Sequence, residues 1–593
     1  MSARSIRIAV FVLAAVLVAG GVTRQLVSSS RHKGSPAPPL KRPPWEWPGR
    51  PETYIRDVDR SETVHDRYAS DVKSFFVKGL KAREWQIASE GMTDDFRGGL
   101  PAIDGGATVA KGRFEIREFD AACDATMDRR VFLEAIRSYV ETWTSIDRAT
   151  WKTFEFLLDP SEDRAWIRLH FQLAGRHRDG TRDELQGVMN GEVVHAGNRW
   201  KLRRLVLEQG CWIRAQTQAF IDVTDTSGFH FNESEENRQL SQAVINARAF
   251  RISGGLSCID ANGDGFPDLL ATSVNRSSIL FLNDGAGGFI RSAGPAKAGE
   301  GTYHFLVVDL DGDGRHEAVS TDVSIQRRGE AELSLYRLIG DKWALVPGAL
   351  KFKVDPAVRR SAFHALACSD VNQDGRLDLF VGGYATNLSG QSEFNLVSAF
   401  DGADNLLFLN QGNLHFSEES QERGIHGTQY TLAAKFFDFD GNGTEDLLEL
   451  NDFGPNVLWE NQGHGRYREA KNHPLASNSE FHMGVTIADI DNKGSWSVYV
   501  SNMYSHAGNR IVPLSEGLEQ GTKKTALHMA LGNQLFQRSS PDEPWRDTAP
   551  ARGVNWADWA WSCNFFDLDN DGDRDLFVTN GYTSNEDPAA PDW

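Results

Sequence analysis

Cysteine is scarce in this chain, which has five in 593 residues: Cys123, Cys211, Cys258, Cys368 and Cys563. A small, odd number of cysteines in so long a chain means that no disulfide framework carries the fold. With 40% hydrophobic and 24% charged residues, the composition is that of an ordinary globular protein with enough apolar mass for large cores. This composition excludes a disordered chain and a polytopic membrane protein.

Positive charge is also in short supply. The chain has 63 Lys and Arg against 82 Asp and Glu, a formal net charge of −19. Because nucleic-acid binding needs clustered basic side chains, we expect no nucleic-acid partner. The GxSxG, HExxH, P-loop and dinucleotide-binding glycine patterns are absent as well, and we assign no catalytic residues.

The sequence has one long apolar run, at its N-terminus. Ile8 to Val22 is uninterrupted and follows Arg4 and Arg7, which is typical of a secretory signal, whereas a spanning helix needs about 20 residues. Residues 1–25 therefore predict a signal peptide or, because no small-x-small cleavage site follows, an uncleaved signal anchor in the membrane. Residues 26–52 are rich in proline and predict a stiff linker. We expect an extracytoplasmic protein, either secreted, periplasmic or anchored at the outer face of the membrane.

The first folded unit is expected over residues 53–218. Apolar residues recur at helical spacing from Val64 to Leu80, and later alternate with polar ones from Ala165 to Leu173, which predicts helices followed by an antiparallel sheet. The phrases EWQIASEGMTDDFRG (Glu84–Gly98) and WKLRRLVLE (Trp200–Glu208) resemble the SnoaL-like fold, which implies an α+β cone. Proteins of that fold include enzymes and proteins that only bind or dimerise. The candidate polar residues of this unit are best explained as a solvated turn or an exposed strand face; they are Asp94, Asp95, His170 and His195.

The second unit, residues 219–593, repeats a nine-residue pattern six times. The copies are DANGDGFPD (Asp260–Asp268), DLDGDGRHE (Asp309–Glu317), DVNQDGRLD (Asp370–Asp378), DFDGNGTED (Asp438–Asp446), DIDNKGSWS (Asp489–Ser497) and DLDNDGDRD (Asp567–Asp575), numbered below as loops 1 to 6. Intact copies carry oxygen-bearing side chains at positions 1, 3, 5 and 9 and glycine at position 6. Calcium prefers six to eight oxygen ligands, and glycine permits the chain reversal that turns alternate side chains to one point.

An EF-hand begins with the same pattern, but it needs a glutamate at position 12 and flanking helices. Position 12 is Ala271, Ser320, Val381, Glu449, Val500 and Val578, and the one glutamate lies inside an apolar run. The segments after position 9, such as LFVGGY and LFVTNG, are strand-like. The pattern therefore indicates loops between strands and not EF-hands.

A single copy can also be a metal-free hairpin turn rich in Asx and glycine. Six copies, each between apolar runs, favour a repeated metal site over that alternative. The fifth loop is the exception, because Lys493 occupies position 5 and Ser497 occupies position 9. A fixed cation replaces an acid there, and we expect no calcium in loop 5.

A second repeat accompanies the loops. Strand–turn–strand segments recur as ILFLNDGAGGF (Ile279–Phe289), NLLFLNQGNLHF (Asn405–Phe416) and NVLWENQGHGRY (Asn456–Tyr467). Short strands and tight turns at a period of about 50 to 80 residues are typical of blades around an axis. Together the repeats resemble the FG-GAP/VCBS family of calcium-loop β-propellers, related to the integrin α-subunit head. MGVTIADID (Met483–Asp491) and SNMYSHAGNRI (Ser501–Ile511) more narrowly resemble the exported bacterial ASPIC/UnbV group.

This resemblance implies a mainly β protein with a six- or seven-bladed propeller that binds Ca²⁺. It implies calcium ligands at positions 1, 3, 5, 7 and 9 of five loops: Asp260, Asn262, Asp264, Phe266, Asp268, Asp309, Asp311, Asp313, Arg315, Glu317, Asp370, Asn372, Asp374, Arg376, Asp378, Asp438, Asp440, Asn442, Thr444, Asp446, Asp567, Asp569, Asp571, Asp573 and Asp575. The chain stops at Trp593, which is too soon to complete the last blade. We expect that an N-terminal strand closes the ring or that the sequence is a fragment.

Three histidines lie a few residues before the first Asp of their loops: His304, His364 and His482. A cluster of them at the channel mouth could bind a transition metal. Their unequal offsets place them on alternate strand faces, so scattered polar positions are the preferred interpretation.

The function that we expect is that of an exported calcium-binding scaffold. Its propeller would present the insertions 382–405 and 501–535 to a protein or glycan partner. The alternatives are an extracytoplasmic enzyme of hydrolase type, using the propeller face or the N-terminal cone, and a structural surface protein. Fold analogy alone does not decide among them.

Overall fold

The computed structural model describes residues 25–27 and 51–580. Within the second range it leaves out 103–104, 112–113, 120–122, 217–221, 232–234, 236–238, 240–253, 274–276, 296–303, 326–328, 341, 355–357, 389–398, 477–478, 541–542 and 569–570. The apolar run Ile8–Val22 and most of the proline-rich segment therefore lie outside the described residues. Among the described residues, no helix combines the length and the apolar character needed to cross a membrane.

The first unit begins with helices. They are α1 (Val58–Val72), a π-helical turn (Lys73–Val77), α2 (Lys78–Ala82), α3 (Trp85–Glu90) and, later in the chain, α4 (Arg129–Val140). Asp57 and Asp128 cap α1 and α4, since each side chain accepts a backbone N–H from the first turn of its helix. The buried face of α1 carries Val64, Tyr68 and Val72, as its apolar spacing predicts.

A long, curved sheet packs against these helices. Its strands are β2 (Met92–Gly99), β3 (Ala107–Lys111), β4 (Phe114–Phe119), β5 (Trp143–Leu158), β6 (Arg164–His177), β7 (Arg182–Ala196) and β8 (Arg199–Ala215). The order is β3-β4-β8-β7-β6-β5, with β2 parallel to β8. Register shifts between β5 and β6 and between β7 and β8 accompany the bend of the sheet around a core that includes Phe132, Trp151 and Leu205. The expected α+β unit is confirmed.

The second unit consists of small antiparallel sheets. Blade 1 contains β9 (Gly254–Ile259), β10 (Asp268–Ser273), β11 (Ile279–Asn283) and β12 (Phe289–Ala293). Blade 2 contains β13 (Phe305–Val308), β14 (Glu317–Ile325), β15 (Glu330–Ile339), β16 (Lys342–Leu345) and β17 (Leu350–Lys353). Blade 3 contains β18 (Val358–Ser369), β19 (Asp378–Leu388), β20 (Leu406–Asn410) and β21 (Phe416–Glu418).

Two further blades follow. Blade 4 contains β22 (Tyr430–Phe437), β23 (Asp446–Pro455), β24 (Val457–Asn461), β25 (Tyr467–Glu469) and β26 (Ser479–Phe481). Blade 5 contains β27 (Gly484–Ala488), β28 (Ser497–Ser501), β29 (Gln534–Gln537) and β30 (Arg546–Asp547). A last sheet has three strands, β31 (Ala560–Phe566), β32 (Asp575–Asn580) and the N-terminal β1 (Gln25–Val27), which pairs with β32.

The sheets follow one another as propeller blades do. The first strand of each sheet contacts the first strand of the next, from β9 through β13, β18, β22 and β27 to β31. Apolar clusters fill the space between consecutive sheets, and each acidic loop joins the first and second strands of its sheet. The expectation of six or seven blades is wrong, because the described residues form five blades of four or five strands. The strands around loop 6 belong to the three-stranded sheet instead.

The second unit also contains short helices. They are α5 (Thr224–Ser227) before blade 1, α6 (Ser420–Arg423) between blades 3 and 4, α7 (His506–Ile511) and α8 (Gln520–His528) between β28 and β29 of blade 5, and α9 (Ala549–Arg552) before the last sheet, with 3₁₀ turns at Pro474–Ala476 and Val512–Leu514. The insertion 501–535 contains α7 and α8, and α7 packs on β5 of the first unit. There the Arg510 guanidinium binds both carboxylate oxygens of Glu62, at 2.8 and 2.6 Å. Much of this insertion, expected to face a partner, therefore holds the two units together.

Candidate calcium loops

The carboxylate of the position-1 aspartate accepts hydrogen bonds from the backbone of its own loop. In loop 4, Asp438 Oδ1 accepts the N–H groups of Gly441 and Asn442 at 2.7 and 3.0 Å, and Oδ2 accepts that of Gly443 at 2.9 Å. The first aspartates of the other loops accept the position-6 N–H in the same way. Gly443 has φ +85°, a left-handed conformation that suits glycine and explains its place at position 6.

The position-9 acid is buried and ties three strands together. Asp446 is fully buried, its Oδ2 accepts the N–H of Phe439 at position 2, and its Oδ1 accepts that of Asn461 on β24. Asp268 and Asp378 make the same pair of bonds, and Glu317 and Asp575 make the bond to position 2. Burial raises the pKa of Glu317, Asp378 and Asp446 to about 7, since a carboxylate is costly to desolvate without a cation.

Positions 5 and 7 shape the exposed side of the loop. The backbone N–H of position 7 donates to the position-5 side chain, at 2.7–3.0 Å in the pairs Phe266–Asp264, Arg315–Asp313, Arg376–Asp374, Thr444–Asn442 and Asp573–Asp571. A position-7 residue can therefore offer its backbone carbonyl to a cation whatever its side chain is. This explains why phenylalanine and arginine are tolerated there.

Two loops bring three carboxylates together. In loop 2 the ligand atoms of Asp309, Asp311 and Glu317 lie within 4.8 Å of one another, and in loop 4 those of Asp438, Asp440 and Asp446 do. Loops 1 and 3 carry an asparagine oxygen at position 3, Asn262 and Asn372. In loop 6, Asp569 lies outside the described residues.

These oxygens fit a calcium ion. Glu317 Oε1 is buried and has no hydrogen-bond partner among the described residues. An all-oxygen set of carboxylates, amide oxygens and a carbonyl is the set that Ca²⁺ prefers.

Basic side chains distinguish the loops from one another. In loop 5 the Lys493 ammonium binds Asp491, so that a side-chain cation stands among the acids, as the sequence predicts. In loop 2 the Arg337 guanidinium lies 3.0 Å from Asp311 and 2.5 Å from Asp313. In loop 3, Arg376 lies 2.5 Å from Asp374.

The asparagine of the second repeat has a role that the sequence did not reveal. Asn410 Nδ2 donates to the carbonyl of Leu310 in loop 2 at 2.8 Å, and Asn461 Nδ2 donates to that of Val371 in loop 3 at 3.0 Å. Each bond crosses from one blade to the loop of the blade before it. The recurring LN and EN dipeptides were the available signal, because both place asparagine at the end of a strand.

The polar candidates of the first unit do not form one site. Asp94 is exposed and pairs with Arg129, Asp95 pairs with Arg203, and His195 is exposed, all as expected. His170 departs from that expectation, since it is 7% exposed. Its ring stacks on Trp556, and its Nδ1 lies 3.0 Å from Nε2 of His506 in the insertion.

Comparison with known proteins supports the repeats. The model of the FG-GAP-like repeat matches residues 260–320, 370–449 and 438–500. Cartilage acidic protein 1 of Xenopus tropicalis is 22% identical over 276 residues, which are 46% of this chain and 38% of that protein. The Mus musculus protein is 22% identical over 280 residues, again 46% and 38%. The match thus spans less than two-fifths of these relatives.

Among solved structures, a putative scytalone dehydratase from Novosphingobium aromaticivorans aligns with a TM-score of 0.19 and 12% identity, over 26% of this chain and 89% of that one. The V. cholerae biofilm matrix protein Bap1 aligns with a TM-score of 0.23 and 16% identity, over 50% and 39%. Similarity this low carries no argument about function.

Proposed function

We propose that this chain, whose second unit is a propeller-like arrangement of FG-GAP-like repeats, is an exported calcium-binding scaffold for a protein or glycan partner. Its calcium ions would clip the first two strands of the blades together. FG-GAP repeats are typical of extracellular proteins, where calcium is abundant, and this agrees with the N-terminal apolar run.

One observation carries the proposal: three carboxylates converge within 4.8 Å in each of loops 2 and 4. In loop 4 their mutual repulsion opposes this arrangement, whereas in loop 2 Arg337 offsets part of the repulsion. Neighbouring loops also touch, since Gln373 of loop 3 donates to the carbonyl of Gly443 in loop 4 at 3.2 Å. Ions bound in adjacent loops would therefore stiffen one continuous face of the propeller.

Calcium titration of the full chain tests the proposal. We expect calorimetry to report sites in loops 1, 2, 3, 4 and 6 and none in loop 5. Asp440→Ala should remove one site, whereas Asp491→Ala should leave the stoichiometry unchanged. A chain that binds no calcium would contradict the proposal.

The partner would bind a part of the propeller that the first unit leaves open. Insertion 382–405 is the remaining candidate; Phe400 within it is 53% exposed, and residues 389–398 lie outside the described residues. A glycan array and a panel of surface proteins, each probed with and without chelator, would test for a partner. Binding that is insensitive to chelation and to removal of residues 386–398 would contradict this assignment.

The first unit also contains an apolar cavity, whose volume of about 40 Å³ is too small for a lipid-sized ligand. Phe76, Trp151 and Leu173 line it, and Gln172 and Thr150 supply polar atoms. Tyr139 is the one titratable residue of its lining among the described residues, and we assign no ligand to this cavity.

A further inference from the structure

Loop 2 differs from loops 1, 3 and 4 at position 9. In those three loops the residue is an aspartate, and one of its oxygens accepts the backbone N–H of an asparagine at the end of the third strand. Loop 2 has the longer Glu317, whose Oε2 accepts the N–H of Leu310 at 2.9 Å. Its Oε1 is buried and has no hydrogen-bond partner among the described residues. Glu317 therefore keeps an unused oxygen in a loop whose carboxylates converge.

A basic side chain from outside loop 2 reaches its acids. Arg337 lies on β15, directly opposite Glu317 in the strand register. Its Nη2 lies 3.0 Å from Asp311 Oδ2 and donates to Asp313 Oδ2 at 2.5 Å. Its Nε lies 3.9 Å from Glu317 Oε1. One guanidinium thus contacts the acids at positions 3, 5 and 9.

Arg337 binds the aspartate oxygens that the loop backbone does not use. Asp311 Oδ1 accepts the N–H of Asp313 at 3.2 Å, and Asp313 Oδ1 accepts the N–H of Arg315 at 2.9 Å. The Oδ2 atoms of both aspartates bind the guanidinium instead. Because calcium requires six to eight oxygens, an ion in this loop would draw on the same atoms, and two positive groups there would repel each other.

Loop 5 shows how a permanent replacement of the ion differs from this arrangement. There Lys493 stands at position 5 within the loop and Ser497 has replaced the position-9 acid, so that two ligands are lost. Loop 2 keeps the acids at positions 1, 3, 5 and 9, and its cation comes from a neighbouring strand. The Arg337 side chain is 36% exposed, so it can turn into solvent when an ion enters.

We infer that Arg337 is the counter-ion of loop 2 in the absence of calcium, and that calcium binds this loop by displacing it. The inference rests on the proposed calcium binding of the loops. Arg337 then has two effects: it weakens the calcium affinity of loop 2, and it holds the empty loop in shape. The second effect reaches the next blade, because Leu310 of loop 2 accepts the side-chain amide of Asn410 in blade 3.

Competition titration of the full chain against a chromophoric calcium chelator tests the inference. Arg337→Met removes the charge and should tighten calcium binding at one site at least about tenfold, because a divalent ion and a guanidinium this close repel even in water. Arg337→Lys keeps the charge and should keep the weaker binding. In an Asp311→Ala background, which disables loop 2, Arg337→Met should change no affinity. Arg468→Met removes an exposed arginine that pairs with Glu460 outside the loops; it is the matched control and should change none either.

Melting temperatures provide a second readout that a merely structural arginine would not move in the same way. In chelator, Arg337→Met should melt below the natural chain, because the acids of loop 2 lose their counter-ion. In saturating calcium this deficit should vanish or reverse. Unchanged calcium affinities at the other sites verify that the variant is folded.

The outcomes separate this inference from the proposed function. A natural chain that binds calcium with the same affinities as Arg337→Met, or a melting deficit that is equal in calcium and in chelator, would overturn the inference and leave the proposed function standing. A natural chain that binds no calcium would overturn both, and its melting temperature would then be the same in calcium and in chelator.

Discussion

At the scale of single residues, loop 5 differs from loop 4 at positions 5 and 9, where Lys493 and Ser497 stand in place of Asn442 and Asp446. Loops 4 and 5 have the same backbone pattern, since Asp438 and Asp489 both accept the N–H groups of positions 5 and 6. They differ in charge, because Lys493 supplies a cation in loop 5 and loop 4 has Asn442 at that position. The two aspartates therefore form a matched pair for measuring the effect of calcium.

We expect Asp438→Ala to lower the free energy of unfolding in calcium by about 2–3 kcal/mol more than Asp489→Ala does. Calcium that binds only the native state stabilises it by about 2.7 kcal/mol per site when the free calcium concentration is 100 times the dissociation constant. Only the loop 4 variant should lose this stabilisation. Calorimetric melting of both variants measures it. In chelator the two variants should melt alike, and a difference that persists there would mean that calcium is not its cause.

At the scale of elements, the asparagine at the end of the third strand links blade 3 to blade 2 and blade 4 to blade 3. Asn410 is 1% exposed and bonds the carbonyls of Leu310 and Leu377, so its loss would leave buried carbonyls without donors. We expect Asn410→Ala to cost about 1–3 kcal/mol of stability in denaturant unfolding. Asn283→Ala is the control and should cost less, because the bonds of its side chain to Pro267 and Gly285 stay within its own blade and Asn283 is less buried than Asn410. Equal costs would show that the bond between blades contributes little.

At the scale of the whole molecule, two buried histidines lie between the units. His170 Nδ1 lies 3.0 Å from His506 Nε2. The titratable and charged residues around the two rings are Lys152, Asp558, Arg168, Arg510 and Tyr504, and Arg510 is paired with Glu62. Burial first, and then neighbouring cations, lower the pKa of both rings well below 6.5. The rings are therefore neutral in the folded protein, whereas the unfolded chain takes up protons below about pH 6.5.

The stability that this contact provides is therefore present above about pH 6.5 and should be lost as the pH falls further. We expect the melting temperature to fall between pH 7 and pH 5, and less steeply in His170→Gln/His506→Gln than in the natural chain. Differential scanning calorimetry in chelator, with loop protonation common to both proteins, measures this difference. Identical pH profiles would show that the pair does not titrate on unfolding.

The burial of His170 at this interface could not be predicted from the sequence. The alternation of β6 correctly predicts a strand with His170 on the polar face. Alternation says which residues share a face, but not whether another unit covers that face. His170 and His506 are 336 residues apart, so only the packing of α7 on β5 brings them together.

The sequence by itself determined the loops and their chemistry. Position 1 bonds position 6, and position 9 bonds position 2, within the nine residues of a loop. The pattern can therefore be recognised in the sequence, as can the loss of positions 5 and 9 in loop 5. The α+β character of the first unit follows from periodicity, which is also local. Tertiary structure alone decided the number of blades, the pairing of β1 with β32 and the docking of the insertion. These depend on contacts between residues far apart in sequence, whose partners are selected by shape and burial and leave no regular spacing in the chain.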